Sequence, residues 1–305
     1  MSNVLDAIMN IIQEGSFEAK RTKDTENSVN QVGDSLEEYI KDAFSNSFNL
    51  EKEERDKAMK RCILYHGNSS NPPDIITAGK DRIAIEVKKS DSYKAALQLN
   101  SSMPHSKLSS KDTRIKSDCR KILQNEEIDM LYVVGSFVKN QKKIRHLAMV
   151  YGSVYCADTS RYEQIDYLVR SKIKELSDIL TKTIPTAHLD IESNELGKLK
   201  NIDPKGYCDL RVRGMYTYAS PYVVFSEEIK ARKTEFDMFV VIPNEIFQNM
   251  ENKELFLEFA NKNEDITIEN KDYPDPNNNG NFIACQRIVY EKERNNRTNI
   301  RATMY

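Results

Sequence analysis

The sequence predicts one α/β domain with additional elements. Amphipathic helical stripes alternate with runs of β-branched residues along most of the 305 residues. No segment repeats, and no Gly/Ser-rich linker divides the chain. With 39% hydrophobic and 30% charged residues, the composition supports a sizeable core. No stretch approaches the ~20 uncharged apolar residues that span a bilayer.

Taken in order, residues 3–14 read as a helix, with Ser2 or Asn3 as its cap and Val4, Leu5, Ile8, Ile11 and Ile12 on one face. Residues 15–27 are polar and read as a loop. Helical spacing returns over Ser28–Ser45 through Val32, Leu36, Ile40, Ala43 and Phe44, with Glu37 and Glu38 in mid-helix. Residues 51–60 suit a solvated helix, and 61–67 a short buried strand. Two prolines stiffen the turn-rich stretch 68–74. Ile75 and Ile76 begin a strand, and AGKD (78–81) turns the chain into a second strand over 82–89. A helix is expected over 114–124, buried strands over 129–137 and 144–156, and a long helix over 161–181. Further strands fall at 208–218 and 236–243, the latter ending at Pro243, with a loop over 271–281. The last fifteen residues are polar and basic and are expected to be mobile.

Several function classes drop out on composition. The net charge of −2 argues against a protein that coats nucleic acid without specificity, while leaving room for an enzyme with local basic surface and acidic metal ligands. Five well-separated cysteines form no CxxC pair, so neither a disulfide framework nor a zinc site is expected. The four histidines make no metal-ligand spacing and suggest no nucleophile–His pair, and no phosphate-binding loop is present. The N-terminal segment carries Asp6 and lacks a basic lead and a small-residue cleavage site, so a cytoplasmic protein is expected.

The segment that carries chemistry is NPPDIITAGKDRIAIEVKK, residues 71–89. A tight turn between its strands brings Asp74 near Glu86. Residues i and i+2 of a strand share a face, so Glu86 and Lys88 project together while Val87 points into the opposite layer. Two carboxylates and an ammonium then share one small site, a set suited to phosphodiester hydrolysis with Mg²⁺, a hard cation that takes carboxylate oxygens, water and phosphate. The Val87 carbonyl offers a further oxygen. Lys88 can position an attacking water and offset developing charge. Acid-x-Lys triplets are common, and six occur here, starting at Glu18, Glu86, Asp203, Glu228, Glu251 and Glu269. The triplet at Glu86 stands apart because it has a β-rich flank and a Pro-Asp at hairpin distance upstream. The alternative is that Asp74 caps a turn and Glu86 and Lys88 form the solvent face of an edge strand. Against that, an acid inside the apolar run IAIEV needs a metal or a partner.

Pro73-Asp74…Glu86-Val87-Lys88 resembles the PD-(D/E)XK nuclease signature, and the order of elements fits that fold, a mixed central sheet flanked by helices. In that superfamily the helix before the catalytic hairpin often supplies an auxiliary acid in a Gly-x-x-x-Glu pattern, which Gly33 and Glu37 match here, with Glu38 as the neighbouring option. The stretches 32–44, 71–89, 97–108, 149–158 and 195–215, with Pro221–Phe225 beyond them, resemble the NgoPII-type family of type II restriction endonucleases. No firm match is recognised after about residue 245.

The resemblance implies a bacterial site-specific deoxyribonuclease, the target GGCC, a companion methyltransferase and 5′-phosphate ends. A homodimer is expected because a two-fold protein matches a palindromic duplex. The whole chain is expected to form one restriction endonuclease domain, with a catalytic core over about 28–156, DNA-recognition elements over about 97–110 and 195–225, and a C-terminal elaboration over 245–305. Candidate DNA contacts are Asn100, Ser101, Ser102 and Lys107, small polar and basic groups following the catalytic strand, and Arg211 and Arg213, which share a strand face and can read guanine or clamp phosphate. The arginines also suit structural pairing with acids such as Asp203 or Asp209. The basic turn 139–146 is a weaker candidate for backbone contact. Two rivals stay open: a repair or recombination nuclease of the same superfamily, and a non-catalytic DNA-binding protein on the same fold.

Overall fold

The computed structural model describes residues 2–21, 28–68, 71–90, 92–99, 103–190, 195–203, 205–225 and 234–293. Helices α1 (Val4–Glu14), α2 (Ser28–Ser45) and α3 (Lys52–Cys62) lead into strands β1 (Ile63–Asn68), β2 (Asn71–Thr77) and β3 (Ala84–Ser90). Short strands β4 (Leu97–Gln98) and β5 (Lys107–Ser109) and helix α4 (Ser117–Leu123) precede β6 (Glu127–Phe137) and β7 (Ile144–Tyr151). Helices α5 (Gly152–Tyr155) and α6 (Thr159–Thr183) follow, then strands β8 (His188–Leu189), β9 (Gly197–Lys200), β10 (Leu210–Val212) and β11 (Thr217–Tyr218) and helix α7 (Pro221–Val224). The chain finishes with β12 (Thr234–Pro243), α8 (Asn244–Asn249), α9 (Lys253–Asn261), β13 (Ile266–Pro274) and β14 (Phe282–Glu293).

Among the described residues the central sheet runs β1-β2-β3-β6-β7-β12-β14-β13, with β5 paired to the start of β6. It is mixed: β3 runs parallel to β6 and β7 parallel to β12, while the other neighbours are antiparallel. The predicted α/β class, with a mixed sheet between helices, is what the chain adopts. One face is covered by α1, α2, α8 and α9 through Leu5, Ile8, Leu36, Ile40, Phe44, Phe247 and Phe256. The other is covered by α4, α5 and α7 through Cys119, Leu123, Val154, Tyr155 and Tyr222. Outside this core, β8–β10 form a small sheet and β4 pairs with β11.

Local chemistry explains the well-matched elements. Asn3, not Ser2, caps α1: its side chain accepts from Leu5 N and Asp6 N, while Asp6 accepts from Asn3 N, and Gly15 closes the helix at φ 65°. Four expectations need correction. The strand over 144–156 ends at Tyr151, where Gly152 lies against the carbonyls of His105 and Ser106 and starts α5; a Cβ there would sit 2.6–2.7 Å from those oxygens. The strand over 208–218 splits, because β10 pairs with β9 and β11 with β4. The partner changes at Arg213–Tyr216, so no single strand runs through the segment. The loop over 271–281 is strand as far as Pro274, paired to β14 at the sheet edge, where a proline is tolerated. The strand expected to be buried over 61–67 is half-buried, since β1 is the other edge and Leu64 and His66 face outward.

The last strands belong to the sheet itself. β12 lies between β7 and β14, and Phe236 stacks on Phe17 with ring centroids 3.9 Å apart. Of the C-terminal fifteen residues, 294–305 lie outside the described residues.

Candidate active site

The β2–β3 hairpin is closed by Thr77, which bonds Ile83 through both backbone and side chain. Its register pairs Ile76 with Ala84 and Ile75 with Ile85, so one step further Asp74 stands opposite Glu86. In place of a further ladder bond, Val87 N donates to Asp74 Oδ2 at 2.7 Å and fixes that carboxylate. Val87, Ile85 and Ile83 turn into the layer beneath α2, leaving Glu86 and Lys88 on the opposite face. Gly67 of β1 allows the close approach, since a Cβ there would lie 2.2 Å from Pro73 O and 2.8 Å from Asp74 Cα.

Lys88 Nζ lies 2.5 Å from Glu86 Oε1, with Glu86 5% exposed. Glu86 Oε2 is sealed from solvent and has no hydrogen-bond partner among the described residues. Burial, and then the charge of Glu86, push the Asp74 carboxyl up to about 7, against the opposing pull of Lys88 and the Val87 N–H. Burial disfavours the Lys88 ammonium, but Glu86 and Asp74 outweigh it and hold its pKa above the usual lysine value. The site is therefore a cramped acidic pair with one cation, short of positive charge at Glu86 Oε2.

α2 docks on this hairpin because Leu36, fully buried, fills the space over Gly135 of β6, where a Cβ would come within 2.8 Å of it. Glu37 then raises the pKa values of both Asp74 and Lys88, which places its charge within range of the pair. Its carboxylate takes Lys41 at 2.6 Å. Glu38 is turned to Lys41 and Arg55; burial opposes its charge, but these cations hold its carboxyl below the usual carboxylate range. Of the two acids, Glu37 is the one coupled to the hairpin. Lys41, 4% exposed, was not singled out from the sequence, although its i,i+4 spacing from Glu37 was a readable signal.

Of the predicted DNA contacts, Asn100, Ser101 and Ser102 lie outside the described residues. The loop that follows them is anchored beside the site: the Tyr132 hydroxyl accepts from His105 N and donates to His105 O, and Tyr132 is the register partner of Glu86. Buried His105 also meets Asp112 at 2.9 Å. Lys107 is apart from Asp74, Glu86 and Lys88. It pairs in register with Asp129, five residues before Val134, the partner of Lys88, or roughly 16 Å at 3.3 Å per residue. Arg211 and Arg213 are exposed and converge on one carboxylate, Glu195, instead of Asp203 or Asp209. They lie at the edge of the small β8–β10 sheet. Sequence reading also missed a buried group on the same sheet face as Lys88. Asp237 there accepts from Tyr222 at 3.0 Å and Thr234 at 3.2 Å and meets His146 at 2.5 Å, a cluster 91 residues apart in sequence and invisible to spacing.

A profile of the NgoPII restriction endonuclease family matches residues 2–273, past residue 245, where the recognisable blocks ran out. The type II restriction enzyme NgoPII of Neisseria gonorrhoeae is 37% identical over 290 residues, which span 94% of this chain and 99% of that protein. No solved structure matches the chain. Similarity over nearly the full length of both chains bears out the expected type II restriction enzyme. The chain belongs to the NgoPII restriction endonuclease family.

Proposed function

We propose that the chain cuts double-stranded DNA at a short palindromic site by Mg²⁺-dependent hydrolysis at Asp74, Glu86 and Lys88, on a PD-(D/E)XK core, leaving 5′-phosphate ends. The observation that carries this reading is the convergence of Asp74 and Glu86 with an orphaned, buried Glu86 Oε2 beside them. A buried carboxylate oxygen without a donor is costly, and a cation offsets that cost. Among the described residues no group of three or more His, Cys, Asp or Glu has metal-binding spacing. The donor set is thus small, two carboxylates and the Val87 carbonyl, which fits a cation that keeps most of its own waters and takes phosphate oxygens. When bound there, Mg²⁺ supplies charge to the phosphoryl group and acidifies a water.

The chain's own groups do the rest. The Val87 N–H keeps Asp74 Oδ2 in place. Lys88 Nζ, beside Glu86 Oε1, donates to the attacking water or a phosphate oxygen and offsets developing negative charge. Glu37, held by Lys41, is the auxiliary acid. Asn100, Ser101, Ser102, Lys107, Arg211 and Arg213 are the proposed DNA contacts, with Glu195 keeping both arginines aligned until a phosphate or base competes for them. The chain acts as one domain and as a homodimer, the family target GGCC is the first site to test, and a companion methyltransferase protects the host's own sites.

The test is digestion of methylated and unmethylated plasmids of known sequence with and without EDTA, followed by mapping of the ends. Discrete fragments from GGCC sites, blocked by methylation and by EDTA and ending in 5′-phosphate, are expected. Cutting that depends on junctions or ends would make it a repair nuclease. Specific binding without cleavage in Mg²⁺ would make it a DNA-binding protein on a nuclease fold.

A further inference from the structure

A two-fold enzyme on a palindromic duplex needs a self-complementary surface, and α6 has the symmetry for one. The helix is 25 residues long, about 37 Å at 1.5 Å per residue. Its buried residues are Ile173 and Ser177, and Ile173 presses on Gly197 of β9. Beside that buried side runs a second apolar stripe, Ile165, Leu168, Leu176 and Ile179, exposed 49%, 55%, 40% and 60%. At 3.6 residues per turn these four fall within an arc of about 80°, centred on Lys172. Single exposed apolar residues need no explanation, but four aligned over nearly four turns do.

The intervals along the stripe, taken through Lys172, are 3, 4, 4 and 3 residues, the same read from either end. We propose that α6 pairs antiparallel with α6 of a second copy of this chain, with the two-fold axis at Lys172. Ile165 then meets Ile179 of the partner subunit, and Leu168 meets Leu176 of the partner subunit, as an isologous contact requires. Lys172 already holds its own Glu175 at 2.9 and 3.0 Å. Glu175 stands about one helical turn from the axis, so it also reaches Lys172 of the partner subunit, and the two ammonium and two carboxylate groups form a neutral ring. A charged ring within an apolar seam sets the register, as single polar positions do in coiled coils. Opposed helix dipoles favour the antiparallel sense.

The choice of a second copy as occupant rests on the proposed reading of the site, but its test uses no DNA. Sedimentation of the full chain at micromolar concentration is expected to show a dimer. Leu168→Glu/Leu176→Glu should raise its dissociation constant roughly 100-fold or more, about 2.8 kcal/mol at 1.4 kcal/mol per tenfold, with the circular dichroism spectrum unchanged. In a Cys208→Ser background, Leu168→Cys/Leu176→Cys should form a disulfide-linked dimer. Leu168→Cys alone should not, because equivalent Leu168 positions lie about 12 Å apart along the axis, beyond disulfide reach. A monomeric wild-type chain, a dimer indifferent to the glutamate pair, or crosslinking by Leu168→Cys alone overturns the proposal. A dimer through α6 in a chain that fails to cut DNA would sink the nuclease site and leave this surface standing, and an active chain that ignores α6 would do the reverse.

Discussion

Asp74 illustrates what the proposed site costs the fold. Its carboxyl is driven up by burial and by Glu86, and the donor it has among the described residues, the Val87 N–H, is too little to restore the usual carboxylate range. Lys88 satisfies only Glu86 Oε1. Removing one acid therefore relieves repulsion while destroying the proposed cation site. Asp74→Asn is expected to abolish cleavage, and Mg²⁺ should raise the melting temperature of the wild-type protein but not of the variant, since a ligand stabilises only the state that binds it. Lys88→Ala should slow cleavage by roughly 100-fold or more while specific DNA binding stays measurable, as expected of a group that acts on the reacting atoms. Full activity in either variant, read by plasmid digestion, would remove these residues from the mechanism.

At the scale of elements, the site depends on close backbone approach. Gly67 leaves no room for a side chain against Pro73 and Asp74. Gly67→Ala must push β1 away from β2, and cleavage should fall more steeply than stability, compared by digestion rate and urea denaturation. The loop after residue 102 depends on its His105–Asp112 anchor. Burial opposes the Asp112 charge, but hydrogen bonds from His105 and Arg114 outweigh it and hold the carboxyl well below its usual range. A depressed folded pKa stabilises above the ordinary value and loses that contribution as the pH falls. Wild-type stability should therefore drop below about pH 4 more steeply than that of Asp112→Asn, measured by denaturation across that range. Parallel curves would show that the anchor contributes nothing.

For the whole molecule, a net charge of −2 means that DNA affinity must come from local basic surface. Arg211 and Arg213, exposed and gathered on Glu195, are the clearest such group in the small sheet. If Arg211 meets a phosphate, Arg211→Ala should lower the slope of log affinity against log salt by about 1, uniformly across DNA sequences. If it reads a base, the loss should instead fall on the cognate site, and binding titrations at several salt concentrations separate the two. Glu195→Gln should tighten non-specific binding, because it releases both guanidinium groups from a competing carboxylate.

The sequence alone determined the elements whose signals are local. An apolar stripe at helical spacing marked the first helix, β-branched runs marked the central strands, and a tight turn with i, i+2 alternation brought Asp74, Glu86 and Lys88 together, because hairpin register and strand periodicity depend on neighbours a few residues away. Dispersed family blocks then identified the chain. Only the tertiary structure decided what depends on pairing at long range. That Glu38 turns to Arg55 of α3 while the charge of Glu37 is felt by Asp74 and Lys88 follows from how α2 sits over the hairpin, with Leu36 against Gly135. The split of 208–218, the separation of Lys107 from Lys88 and the Asp237 cluster were settled by which strands become neighbours. Alternation along a strand reports which face is buried, and nothing in it names the partner across the sheet.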